Sequence, residues 1–140
     1  MKAFLVTLFL FTGIIAKSQL YATIDPAFLR VGALYNYKMD EIGFYGRGLY
    51  GNIKGDLFYT ESVKIGTGIS IPEGNANFYF GLNYNHFFNG SGYNYENVIN
   101  KVSILSVDIG ISVTYNRFSM LMMADFINWE SILGFSYRFF

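Results

Sequence analysis

The last ten residues, Ser131-Ile-Leu-Gly-Phe-Ser-Tyr-Arg-Phe-Phe140, alternate strictly between two kinds of side chain. Leu133, Phe135, Tyr137 and Phe139 fall on one face of an extended chain, and Ile132, Gly134, Ser136 and Arg138 on the other. A period of two marks a β-strand, here with one apolar, aromatic face and one small-or-charged face. In water a terminal strand of this kind aggregates unless something apolar covers it. Any fold the chain adopts must therefore give aromatic strand faces somewhere to go.

The same alternation recurs upstream. Residues 118–126 put Phe118, Met120, Met122, Ala124 and Phe126 on one face, and 104–115 set Leu105, Val107, Ile109, Ile111, Val113 and Tyr115 against Ser106, Asp108, Gly110, Ser112 and Thr114. Residues 77–88, 62–71, 42–51 and 28–38 read likewise, and 20–25, stopped by Pro26, forms a short first strand. Short connections at 39–41, 72–75 and 116–117 take every second position, while the alternates include two long polar stretches, 52–60 and 89–103. Short turns at one end and longer loops at the other predict an all-β chain folded as an eight-stranded antiparallel up-and-down transmembrane β-barrel. Residues 52–60 and 89–103 are then extracellular loops. An even strand count favours eight over seven.

Composition agrees with this reading. The chain is 52% hydrophobic and only 14% charged, yet the most apolar stretch of the body, 103–126, is broken by Asp108, Arg117 and Asp125 and fails as a membrane helix. Residues 1–18 read as a cleaved signal peptide: Lys2 supplies the basic start, residues 3–16 the apolar run, and Ala16-Lys17-Ser18 the small residues of a cleavage site. Residues 19–140 form the single barrel domain. Without Lys2 and Lys17, ten basic residues become eight against ten acidic ones, a balance that offers nothing to nucleic acid. There is no cysteine, so disulfides and thiolate metal sites are excluded.

The closing strand resembles that of small Gram-negative outer-membrane β-barrel proteins, which end in an aromatic residue preceded by Tyr and apolar residues at alternate positions. Phe139 takes the terminal aromatic role here, and Phe140 is one residue extra. The resemblance implies an outer-membrane location, outer-membrane lipid as surroundings, and recognition by the barrel-assembly machinery through Leu133, Phe135, Tyr137 and Phe139. It also implies a monomer with no cofactor.

Candidate chemistry is sparse. Gly46-Arg-Gly48-Leu-Tyr-Gly51 matches a dinucleotide fingerprint formally, but no helix follows it, and the glycines read better as relief of crowding in a narrow barrel. His86 is the only histidine. Ser91 and Glu96 are its possible companions in a lipid-hydrolase or acyltransferase triad, although His86 shares the outward parity of Phe80, Leu82 and Tyr84. A single histidine with scattered carboxylates lacks metal-ligand spacing. Tyr93 and Tyr95, in a loop of Asn, Gly and Ser, are the natural anchors for an extracellular ligand. Charges on the inward faces must pair, so Asp108 should contact Arg47 or Lys64. An eight-stranded barrel is filled by its own side chains, so no open pore is expected. The reading that follows is a structural or surface-interaction role. Its rivals are the lipid-modifying enzyme and a secreted soluble barrel of lipocalin type, which would turn its apolar faces inward.

Overall fold

The computed structural model describes residues 18–55, 58–88, 90–92, 96 and 100–137. Residues 1–17, Tyr93, Tyr95 and 138–140 lie outside the described residues, and with them most of the expected leader, both expected tyrosine anchors and Phe139. The strands are β1 (Ser18–Asp25), β2 (Arg30–Tyr37), β3 (Gly43–Gly55), β4 (Phe58–Glu73), β5 (Ala76–Phe87), β6 (Ser91–Gly92), β7 (Leu105–Tyr115), β8 (Phe118–Asp125) and β9 (Glu130–Tyr137). They pair antiparallel in the order β3-β2-β1-β9-β8-β7-β5-β4, and pairing of β3 with β4 closes the circle. Eight strands thus form a closed barrel, and β6 adds only to the tip of β4 through Phe58↔Gly92 and Tyr59↔Ser91. Connections at 38–42, 74–75 and 116–117 define the lower end. The ends of β1 and β2 at Asp25 and Arg30, of β3 and β4 at Gly55 and Phe58, of β5 and β7 at Phe87 and Leu105, and of β8 and β9 at Asp125 and Glu130 define the upper end.

Closure sorts the two faces of every strand. In β7 the exposed residues Leu105, Val107, Ile109, Ile111 and Val113 alternate with the buried Ser106, Asp108, Gly110 and Ser112. In β9, Phe135 and Tyr137 point outward while Ile132, Gly134 and Ser136 point inward. β1 is a full strand. It begins at Ser18, the last residue of the expected leader, and pairs with β2 from Ser18↔Tyr37 to Asp25↔Arg30, so Pro26 ends it without shortening it.

Three expectations about connections change. Within the stretch 52–60, residues 52–55 and 58–60 are paired strand: β3 and β4 continue through Asn52↔Glu61 to Gly55↔Phe58, beyond the last β2–β3 pair, Arg30↔Gly51. Main-chain pairing is indifferent to side-chain polarity, so polar residues extend a ladder whose partner strand continues. Glu130, which precedes the alternating stretch 131–140 in the sequence, starts β9 and is buried, because it shares the inward parity of Ile132. The lower turn narrows from 72–75 to Gly74-Asn75, with Gly74 at φ 56°, where glycine carries no steric penalty.

The lumen is packed. Tyr21, Leu34, Tyr45, Leu49, Tyr79, Leu121, Met123 and Ile132 form its apolar part, and the Tyr45 and Tyr79 rings meet edge to face at 5.5 Å. Gly68 and Gly81 face each other across β4 and β5, where a Cβ on Gly81 would strike the Tyr45 hydroxyl. These two glycines make the seat for the Tyr45 ring. The glycines of the dinucleotide-like stretch act differently from expectation. A Cβ on Gly46 or Gly48 would meet open space, and only Gly51 lies in close contact, against Arg30 and Leu29.

Candidate functional site

The most concentrated chemistry lies inside the upper end of the barrel, and it starts from two turns of the same construction. Asp25 Oδ1 accepts hydrogen bonds from the backbone N–H of Ala27 (3.1 Å) and Phe28 (3.3 Å). Asp125 Oδ1 accepts them from Ile127 and Asn128, both at 3.0 Å. Aspartate commonly closes turns in this way. Each turn then passes through a left-handed residue, Leu29 at φ 48° or Trp129 at φ 54°, and re-enters the sheet at Arg30 or Glu130.

One oxygen of each aspartate is used by its turn, and the other faces the lumen. Arg30 donates to Asp25 Oδ2 through Nε at 3.0 Å and Nη2 at 2.7 Å. Its Nη2 also reaches Glu130 Oε2 at 2.7 Å, and the Phe28 ring lies 4.8 Å from the guanidinium carbon. From the far wall, Lys64 Nζ donates to Asp125 Oδ2 and Glu130 Oε2, both at 2.6 Å. Ser106 Oγ donates to Asp125 Oδ2 at 2.5 Å, and Arg30 Nη1 to Asn85 Oδ1 at 3.2 Å. Five charged side chains from β1, β2, β4, β8 and β9 thus form one buried network, with Glu130 shared by the two cations.

A second, smaller network lies deeper. Arg47 Nη2 donates to Asp108 Oδ2 at 2.6 Å and to Asn83 Oδ1 at 2.5 Å, while Asn83 Nδ2 donates to the other Asp108 oxygen. Among the described residues, the buried charges are three cations (Arg30, Arg47, Lys64) and four carboxylates (Asp25, Asp108, Asp125, Glu130). Charges so far from water persist only when paired, and each of these is, although Arg47 Nε and Glu130 Oε1 have no hydrogen-bond partner. The arrangement links opposite walls of the barrel near its upper end.

The sequence-predicted residues distribute unevenly over this geometry. Asp108 meets Arg47, whereas Lys64 belongs to the upper network. Asp25 and Glu130 were missed because both flank turns, although each shares parity with inward neighbours, Thr23 and Ile132. His86 is exposed on the outer wall, stacked on Tyr84 with ring centres 6.1 Å apart and edge to face with Phe88 at 4.8 Å. Its Nδ1 lies 3.3 Å from the Tyr84 hydroxyl. Ser91 and Glu96 are exposed and form no hydrogen bond with it. Leu133, Phe135 and Tyr137 lie on the outward face of β9. Among the described residues no group of three His, Cys, Asp or Glu side chains is arranged to hold a metal ion.

Compared with protein-family models, curated proteins and solved structures, the chain finds no significant match. Its functional reading therefore rests on geometry and chemistry alone.

Proposed function

We propose that this chain is a small outer-membrane β-barrel with a structural or surface-interaction role and no open pore. The observation that carries the reading is inverted polarity. Among the described residues, twenty buried side chains are polar or charged and eight are apolar, while Leu, Ile, Val, Met and aromatic side chains cover the outside. A water-soluble barrel has the opposite distribution, which argues against the lipocalin-like alternative. Closure of the sheet satisfies the strand backbone internally, as a lipid environment demands. Packing of the lumen by tyrosines, leucines and paired charges supports the absence of a pore. The enzyme reading has less behind it, since His86 is engaged with Tyr84 and Phe88 on the outer wall.

The test is folding itself. Residues 19–140, refolded into detergent or vesicles, should migrate differently in SDS gels before and after boiling, and should precipitate when refolded without amphiphile. A soluble folded chain without detergent, with identical mobility boiled or unboiled, would refute the membrane reading.

The surface role is tested separately. Lipid and lumen packing constrain the strands, so a partner is best met by the connection 89–103, with Tyr93 and Tyr95 as anchors. Replacing residues 90–101 by a short Gly/Ser turn should preserve the heat-modifiable mobility, because loop length has little effect on closure entropy. Cell-surface ligand captured by the parent protein should no longer be captured. Capture that survives the exchange would move the interaction elsewhere on the barrel.

A further inference from the structure

The barrel is lopsided. β1, β2, β8 and β9 are eight residues each, whereas β3, β4, β5 and β7 have 13, 16, 12 and 11. At about 3.3 Å per residue and a tilt of about 40°, an eight-residue strand rises roughly 20 Å, short of the apolar band of about 25 Å in outer-membrane barrels. On the same basis an eleven-residue strand rises roughly 28 Å and clears it. One side of the barrel is too short to span on its strands alone.

Its connections decide which end makes up the difference. The lower connections contain Lys38, Asp40, Glu41 and Arg117. The upper part of the tall side carries Glu61 on β4, and Glu96 and Lys101 between β5 and β7. By contrast, the upper turns of the short side read Pro26-Ala-Phe-Leu29 and Phe126-Ile-Asn-Trp129, with no charge. Their one polar side chain, Asn128, is turned inward. It accepts from Ser103 N at 2.8 Å and donates to Ser103 O at 3.2 Å and Asp125 Oδ2 at 3.3 Å.

Apart from Phe28, whose ring lies over the buried Arg30 guanidinium, the large apolar residues of these turns are exposed. Trp129 is 85% exposed and Leu29 63%, with Phe126 and Ile127 also exposed. Leu29 and Trp129 occupy the left-handed conformation that Gly or Asn adopts at least cost, so bulky apolar side chains are held at the turn tips against local preference. The Asp25 and Asp125 caps fix both turns in that form. These residues lie above the exposed apolar residues Ile24, Val31 and Met122, with Ala124 and Ser131 between them on β8 and β9.

Resting on the membrane reading above, we propose that turns 26–29 and 126–129 are immersed in the lipid leaflet at their end, at the boundary of headgroups and acyl chains, and complete the apolar span on the short side. Trp is at home at that boundary. On the opposite side the β3–β4 hairpin then stands clear of the bilayer, four residues beyond Gly51 and roughly 13 Å along the strand.

Trp129 is the only tryptophan, so its fluorescence reports this one position. The protein is folded into phosphatidylcholine vesicles with and without bromine on the upper acyl chain, and folding is scored on the same samples by heat-modifiable mobility. The expected result is emission blue-shifted from that of the urea-unfolded chain, strong quenching by the brominated lipid and weak quenching by acrylamide. In the double variant Phe126→Ser/Ile127→Ser, mobility should persist while emission moves to the red and lipid quenching falls. Water-like emission quenched by acrylamide in folded samples overturns the proposal and leaves the membrane reading standing. Emission that is insensitive to bromolipid but shifts with protein-to-lipid ratio also overturns it, in favour of contact between copies. Absence of any folded species on vesicles overturns the membrane reading, and the turn proposal with it.

Discussion

Lys64→Met should be among the most destabilising single substitutions in the barrel, costing roughly 3–5 kcal/mol. Lys64 is fully buried, and its ammonium is the cation that serves Asp125 while sharing Glu130 with Arg30. Methionine fills nearly the same volume, so the loss is one of charge rather than packing. Three carboxylates would then face a single guanidinium. Asp108→Ala should cost a similar amount, since it strands Arg47 beside Met123 and Asn83. Glu130→Gln should be much milder, because the upper network then holds two cations and two carboxylates, each cation keeping an aspartate at 2.6–2.7 Å. For the same reason Glu130→Gln combined with Lys64→Met should recover part of the loss. Urea midpoints of the four proteins in one detergent decide the matter. A double variant no better than Lys64→Met alone would show that charge balance does not govern this network, and that Lys64 acts through packing.

Removing residues 137–140 should abolish assembly outright. Tyr137 pairs with Phe118 at the lower end, and their rings meet at 4.9 Å, so the deletion exposes the end of β8 and shortens β9 just beyond residues 133–135, which pair with β1. An unclosed sheet leaves backbone donors and acceptors unpaired, a state that lipid does not tolerate. The expected readout is complete loss of the unboiled fast-migrating band. Removing Phe140 alone should leave that band intact if Phe139 is the terminal aromatic of the closing pattern. Loss of assembly on deleting Phe140 alone would mean that the terminal pattern is displaced by one residue.

Parity was legible in the sequence, for a simple reason. In an extended chain each residue lies opposite in facing to its neighbours, so one correctly oriented strand orients every residue on it. Leu133, Phe135 and Tyr137 faced outward as read, the first strand brought the barrel to eight, and His86 kept the outward parity read for it. Parity also required the inward charges to find partners inside a narrow barrel.

Which partner each charge found was decided only by the closed tertiary structure. Lys64 and Arg47 lie on adjacent strands, β4 and β3, and both face Asp108 across the lumen as far as parity is concerned. Their heights along the barrel depend on the stagger between strands, which no single strand encodes. That stagger sends Arg47 to Asp108 and Lys64 to Asp125 and Glu130. Asp25 and Glu130 joined the network because the turns beside them use one carboxylate oxygen or none, leaving charge directed into the lumen. The continuation of β3 to Gly55 and of β4 from Phe58 was likewise a matter of pairing, since a polar stretch becomes a strand when its neighbour supplies the matching backbone groups.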